Sequence, residues 1–165
     1  MTPPIFRVET GAPGMLFIMP APSGERLAGD IAHFRAMGAD TVVSLLEPSE
    51  IAELSLAAEP EACRAAGLDF LHLPVPDFGL PERAPFEALA AELGERLRRG
   101  RGVAVHCRGG IGRSGTLVSC VTGAFCGSAE EAIARVTRAR GVPVPETPAQ
   151  RDFILAGPGR AADRG

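Results

Sequence analysis

Residues 103–116, VAVHCRGGIGRSGT, constrain this chain more than any other stretch. A short apolar strand ends at His106, a glycine-rich turn follows, and a helical pattern begins near Arg113. Cys107 is followed six positions later by that arginine and then by Ser114, a C-x5-R-S arrangement. A loop that closes on a tetrahedral oxyanion turns successive backbone N–H groups inward, through tight and partly left-handed turns that glycine adopts without steric cost. Gly109, Gly110 and Gly112 provide that freedom, so the N–H groups of Arg108, Gly109, Gly110, Ile111, Gly112 and Arg113 are the expected anion cradle. The helix at its far edge aims its unpaired N–H groups and positive dipole end at the same point.

The same field acts on Cys107. A thiol beside a helix N-terminus and an arginine ionises more readily than a free one, which predicts a thiolate at neutral pH. Arg113 presents a planar fork that holds two oxygens of one phosphate, as a lysine does less well. A cysteine six places before an arginine recurs by chance in so arginine-rich a chain, and most cysteines are small buried hydrophobes. The three glycines, the trailing serine and the strand-to-helix setting together argue for chemistry. That chemistry needs the loop curled, the guanidinium turned inward and the sulfur open to solvent.

The run His106 to Gly115 resembles the phosphate-binding loop of the cysteine-dependent protein phosphatases, most of all the compact dual-specificity group of the kinase-associated phosphatase type. The resemblance covers about residues 15–156, is strongest in the loop and weakest in the N-terminal third. It implies a nucleophilic Cys107, transition-state binding by Arg113, and Ser114 assisting departure of the thiolate from a phosphocysteine. It implies neither metal nor cofactor. Asp77 lies thirty positions before Cys107 in the stiff loop 74–81, PVPDFGLP, and is similar in setting and distance to the family's general acid. An alkoxide or phenoxide leaving group needs such a proton donor as the P–O bond breaks. Organising a turn is the other use of an aspartate between prolines. Glu82, the nearest other carboxylate, sits where a helix starts and reads as a cap. Gln150 closes a capping box with Thr147, while in the family a glutamine at a similar point orients water, so both roles stay open. His106 is read as stabilising the loop by hydrogen bonding.

The remaining sequence sets the frame. At 165 residues the chain fits one domain, with a core over 15–156 and a frayed tail at 157–165. A net charge of −3 argues against a nucleic-acid binder carried by bulk charge. The chain has no lysine and is rich in alanine, glycine and proline, which suggests a GC-rich, bacterial genome. Cys63, Cys107, Cys120 and Cys126 form neither a metal-ligand spacing nor a CxxC pair. With no leader pattern and no apolar run near the ~20 residues of a bilayer span, a cytoplasmic monomer with reduced thiols is expected, without nucleic-acid or membrane partners. Whether Cys63 or Cys120 could bridge an oxidised Cys107 is open.

Periodicity predicts an α/β fold: a mostly parallel central sheet of four to five strands flanked by helices. Strands are expected at Met15–Met19, Thr41–Leu46, Leu68–Leu73 and Val103–His106. Helices are expected from Asp30 to Gly38, twice between Glu47 and Ala66, over 84–98, after Arg113, and after the capping boxes at Ser128 and Thr147. The expected activity is hydrolysis of phosphotyrosine, extending to phosphoserine and phosphothreonine, in a phosphorylated protein or peptide. A phosphatase of a small-molecule or lipid phosphomonoester is the alternative, although Arg108, the one extra loop cation, is less than a highly charged inositol phosphate would want. A phospho-binding pseudophosphatase is disfavoured by a complete motif, and a sulfurtransferase leaves Arg113, Ser114 and Asp77 unexplained.

Overall fold

A computed structural model describes residues 2–163, with side chains through Gly157. Five strands, β1 (Phe6–Val8), β2 (Leu16–Met19), β3 (Thr41–Ser44), β4 (Asp69–His72) and β5 (Val103–His106), form one sheet in the order β1-β2-β5-β3-β4. The pairs β2–β5, β5–β3 and β3–β4 are parallel, and β1 closes the edge antiparallel to β2. Every residue of β2, β3 and β5 is buried, as their near-continuous apolar runs require of strands covered on both faces. The helices are α1 (Leu27–Met37), α2 (Pro48–Glu53), α3 (Glu59–Ala65), α4 (Arg83–Arg98), α5 (Arg113–Cys126), α6 (Ala129–Arg140) and α7 (Pro148–Asp163).

Strand alternation divides the interior in two. Phe17, Val42 and Ala104 face a smaller core with Ile31 and Phe34 of α1 and Cys63 of α3. Their neighbours Ile18, Val43 and Val105 face the larger core, with Leu93 and Leu97 of α4, Leu117 and Val121 of α5, Val136 of α6 and Phe153 of α7. Because β5 is inserted between β2 and β3, the chain crosses to opposite sides of it, and the loops that follow β2, β3, β4 and β5 leave from one edge of the sheet. A crevice at such a switch point is where open α/β sheets bind ligands.

The expected parallel sheet is present, with three differences. β1 is an addition: three residues behind a Pro-Pro pair, of which only Val8 is buried, carry too short a pattern to detect. α1 begins at Leu27, led in by a 3₁₀ turn at Gly24–Arg26, so the helix starts ahead of Asp30. The tail expected from residue 157 begins at a real break, with Gly157 at φ 66° and ψ 160°, but the backbone is helical again as far as Asp163. Proline is well suited to a first helical turn, and Pro158 follows the break directly. Residues 164 and 165 lie outside the described residues.

Both expected N-caps are placed as read, but at Ser128 the box is half formed, because the Glu131 carboxylate pairs with Arg135 instead of returning to the Ser128 N–H. Ser128 Oγ accepts the Glu131 N–H, and Thr147 and Gln150 exchange backbone-to-side-chain bonds. Among the described residues no helix is long and apolar enough to cross a membrane. Leu97 is fully buried in the larger core, so Leu97→Ala is expected to lower unfolding stability by about 2–5 kcal/mol, measured by urea denaturation.

Candidate active site

The loop after β5 is a curl whose carbonyl oxygens are all turned outward and bonded. His106 O accepts from Leu45 N, Cys107 O from His106 Nδ1, and Arg108 O from Ala21 N. Gly109 O and Gly110 O both accept from the Arg140 guanidinium, at 3.1 and 3.0 Å. Ile111 O and Gly112 O receive the first N–H bonds of α5. A peptide unit that points its carbonyl out points its N–H in, and among the described residues none of the N–H groups from 108 to 113 has a protein acceptor. Six donors therefore converge on one point, at the N-terminus of α5. Gly110 is required for two reasons: its φ is +71°, and a Cβ there would meet the Met19 carbonyl at 2.4 Å.

Arg113 is turned inward, with its side chain 2% exposed. Glu50, the third residue of α2, meets it end-on: Nη1 donates to Oε1 at 2.6 Å and Nη2 to Oε2 at 2.9 Å. Val75 O takes a further Nη1 bond at 3.0 Å. What remains is one edge of the fork, the Nε–H and the second N–H of Nη2, an arrangement that matches two phosphate oxygens. Asp77 Oδ1 is ion-paired with that edge, 3.1 Å from Nη2. Its loop is fixed by a turn in which Gly79 N donates to Pro76 O, with Phe78 at a positive φ of 58°. Glu47 Oε1 holds the Asp77 N–H at 3.4 Å.

These contacts set the charges. The bond from Arg113 is the main reason the Glu50 carboxyl sits below its ordinary value; burial opposes it, and the Glu47 backbone and the nearby charge of Arg108 assist it. For Arg113, burial alone would lower the pKa, but the Glu50 bond and the charges of Cys107, Glu50 and Asp77 outweigh it and leave it raised. The guanidinium stays charged and its position is fixed.

Cys107 is 2% exposed, which contradicts the expectation of a sulfur open to solvent. It is the floor of the curl, packed on the larger core, and Asp77 stands over Arg113 above it. His106 lies behind the loop, wholly buried, with Nε2 2.6 Å from Glu59 Oε2 and Nδ1 2.9 Å from Cys107 O. The carbonyl can only accept, so Nδ1 is the donor in that bond, and Nε2 is left to face the Glu59 carboxylate. Ser114 Oγ is buried and bonds to no protein group. Arg108 turns away from the cradle toward Glu53, at 3.0 Å, and contributes its backbone N–H.

Gln150 combines the two roles that the sequence left open. Its Oε1 caps α7 through Glu146 N and Thr147 N, while Nε2 donates to Gly79 O of the Asp77 loop at 3.3 Å. A Cβ on Gly112 would lie 3.2 Å from both amide atoms, so the side chain abuts the cradle. Glu50, Glu59 and Arg140 were missed. Each is a charged residue in an ordinary helical pattern, and only folding brings it to the loop. The four cysteines are free, and burial pushes the Cys63 and Cys120 thiols up to about 12. Cys63 packs in the smaller core, across the sheet from Cys107. Among the described residues no group of three or more metal-ligating side chains forms.

A thiol under a curl of inward N–H groups, with a fixed arginine and a carboxylic acid above it, is the arrangement of a cysteine-loop phosphatase domain. Comparison with known proteins gives the family. The chain belongs to the family described as PTP-SAK, Swiss Army Knife protein, DSP-PTPase phosphatase domain, whose model matches residues 10–150. The mouse (Mus musculus) protein tyrosine phosphatase domain-containing protein 1 is 31% identical over 115 residues, covering 64% of this chain and only 15% of that protein. Among solved structures, Tk-PTP in its active form is 31% identical, covers 86% of this chain and 89% of its own, and superposes with a TM-score of 0.71. Kinase-associated phosphatase, with its catalytic cysteine replaced by serine, is 19% identical, covers 98% and 97%, and has a TM-score of 0.88.

Two outcomes test this geometry. Arg140→Ala removes the bonds that hold two loop carbonyls outward, and is expected to weaken tungstate binding roughly tenfold by calorimetry, at ~1 kcal/mol per bond with partial compensation by water. Glu50, held below its ordinary value near 4.5, adds stability above that pH and loses it as pH falls from there through the lowered value. Glu50→Gln is therefore expected to flatten the acid limb of a melting-temperature profile between that ordinary value and the lowered one. At neutral pH it destabilises by about 3–5 kcal/mol, because it leaves a buried guanidinium under-compensated.

Proposed function

We propose that the chain hydrolyses phosphomonoesters on protein or peptide side chains through a phosphocysteine on Cys107. The observation that carries this reading is the set of six unpaired N–H groups from 108 to 113 beside the open edge of Arg113, a shape and charge suited to a phosphoryl group and its trigonal transition state. The Cys107 thiolate attacks phosphorus in line, forming the S–P bond as the P–O bond to the leaving group breaks. Asp77 gives its proton to the departing oxygen. The three equatorial oxygens rest on the N–H groups and the Nε–Nη2 edge.

Hydrolysis returns the enzyme to its starting state. Asp77, now ionised, takes a proton from water as the water oxygen bonds to phosphorus and the S–P bond breaks. Ser114 Oγ, buried without a protein partner, is the hydroxyl available to stabilise the returning thiolate. Gln150 links the Asp77 loop to the cradle and holds their spacing while water enters. His106 and Glu59 keep the Cys107 carbonyl turned away from the sulfur's anion site.

The Asp77 loop also supports an aromatic substrate. Phe78 is 61% exposed and held at a positive φ, a conformation that costs a bulky residue roughly 1–2 kcal/mol and persists where the surroundings fix it. Beside the acid, its exposed ring offers a face for an aryl leaving group, which supports the phosphotyrosine reading. Turnover of an aryl phosphate by the freshly reduced enzyme is the test. Cys107→Ser is expected to abolish it, and Asp77→Asn to lower kcat by about 10²–10⁴ while sparing the affinity for tungstate. Undiminished turnover in either variant contradicts the assignment.

A further inference from the structure

The mouth of the cradle is ringed by carboxylates from three segments, α2 with its N-cap, the Asp77 loop and the turn before α7. Asp77 stands beside the free edge of Arg113 and Glu50 faces the same guanidinium from its far end. Glu53, 58% exposed, pairs with Arg108 at 3.0 Å. Glu47 reaches the Asp77 N–H. Glu146 lies over the loop so closely that a Cβ on Gly112 would be 2.5 Å from its Oε1. Facing these five carboxylates are two loop guanidinium groups, Arg108 and Arg113, each already paired with two of them. Arg140 uses its N–H groups on loop carbonyls, and exposed Arg151 adjoins Gln150 on α7.

Glu47 and Glu146 have no cationic partner among the described residues. Glu47 accepts only backbone N–H groups, and the Glu146 side chain makes no bond. Such carboxylates repel a phosphate dianion held next to them. Yet the centre of the ring is suited to that dianion: the six N–H groups from 108 to 113 have no protein acceptor. A ligand that satisfies both parts is anionic at its reacting centre and cationic immediately around it. An extended peptide advances about 3.3 Å per residue, so side chains one or two residues from the phosphorylated position fall at the rim.

Resting on the phosphatase reading above, we propose that the carboxylate rim selects phosphopeptides with arginine or lysine within two residues of the phosphorylated side chain. The same rim disfavours phosphorylated lipid headgroups. An anionic bilayer would bring further negative charge against Glu47, Glu53 and Glu146, in a chain of net charge −3.

The test compares kcat/KM at low salt for phosphotyrosine peptides of equal length with arginine, alanine or glutamate at the two positions on each side. A phosphatidylinositol monophosphate in anionic vesicles and a small aryl phosphate complete the set. The expected arginine-to-glutamate ratio is roughly tenfold or more, falling as sodium chloride is added. Within Glu146→Gln and then Glu146→Lys the same ratio is expected to drop stepwise, whatever the absolute turnover. Both variants change an exposed, unbonded side chain, and circular dichroism checks their fold. A ratio near one in an enzyme that cleaves the aryl phosphate overturns the rim's role, as does faster cleavage of the lipid. Failure of the freshly reduced enzyme on the aryl phosphate defeats the phosphatase reading itself, and the selectivity with it.

Discussion

The outward fastening of the loop carbonyls is the constraint on which the site depends. A backbone curl has no intrinsic reason to point six N–H groups at one spot, since each repels the next. Here the carbonyls on the outer side are occupied by partners from five elements: the ends of β2 and β3, His106 of β5, the start of α5, and the last residue of α6. The cost of crowding the donors is met when the loop folds, so nothing has to reorganise when an anion arrives. Arg140 is a positioning residue in this scheme, and its ring partner Phe6, 4.6 Å away, explains a use for the short edge strand β1.

A second level of order is electrostatic. Arg113 is fixed by Glu50 from the far end of its fork, which removes rotational freedom and still leaves the edge that an oxyanion uses. The pair is formally neutral, so on the proposed reading attraction for phosphate rests on directed N–H groups and the α5 dipole rather than on bulk positive charge. The whole apparatus lies at the carboxyl ends of β2 to β5. The crossing at β5 accounts for loops so distant in sequence meeting there: α2 follows β3, the Asp77 loop follows β4, and the cysteine loop follows β5.

Much of this was legible in the sequence. The strand-glycine-helix run announces its own geometry, although of the three glycines between Cys107 and Arg113 only Gly110 adopts the left-handed turn. Four of five strands and all seven helices follow from apolar spacing and caps. Glu50, Glu59 and Arg140 were not legible. Their patterns are those of any solvated or capping residue, and their partners lie 63, 47 and 30 positions away. Gln150 was half legible: the capping box fixed its position on α7, whereas its contact with the Asp77 loop depends on how that helix is seated. The accessibility of Cys107 was misjudged because sequence reports the thiol's neighbours but not the depth at which the loop sets it.

The most direct measurement is chemical trapping of the reaction intermediate. The enzyme is mixed with an excess of aryl phosphate, quenched in acid within one turnover, digested, and analysed by mass spectrometry. The account predicts one phosphoryl adduct, on the peptide containing Cys107 and at its sulfur. Steady release of phosphate with no such adduct, or an adduct on His106 or any other residue, would contradict it.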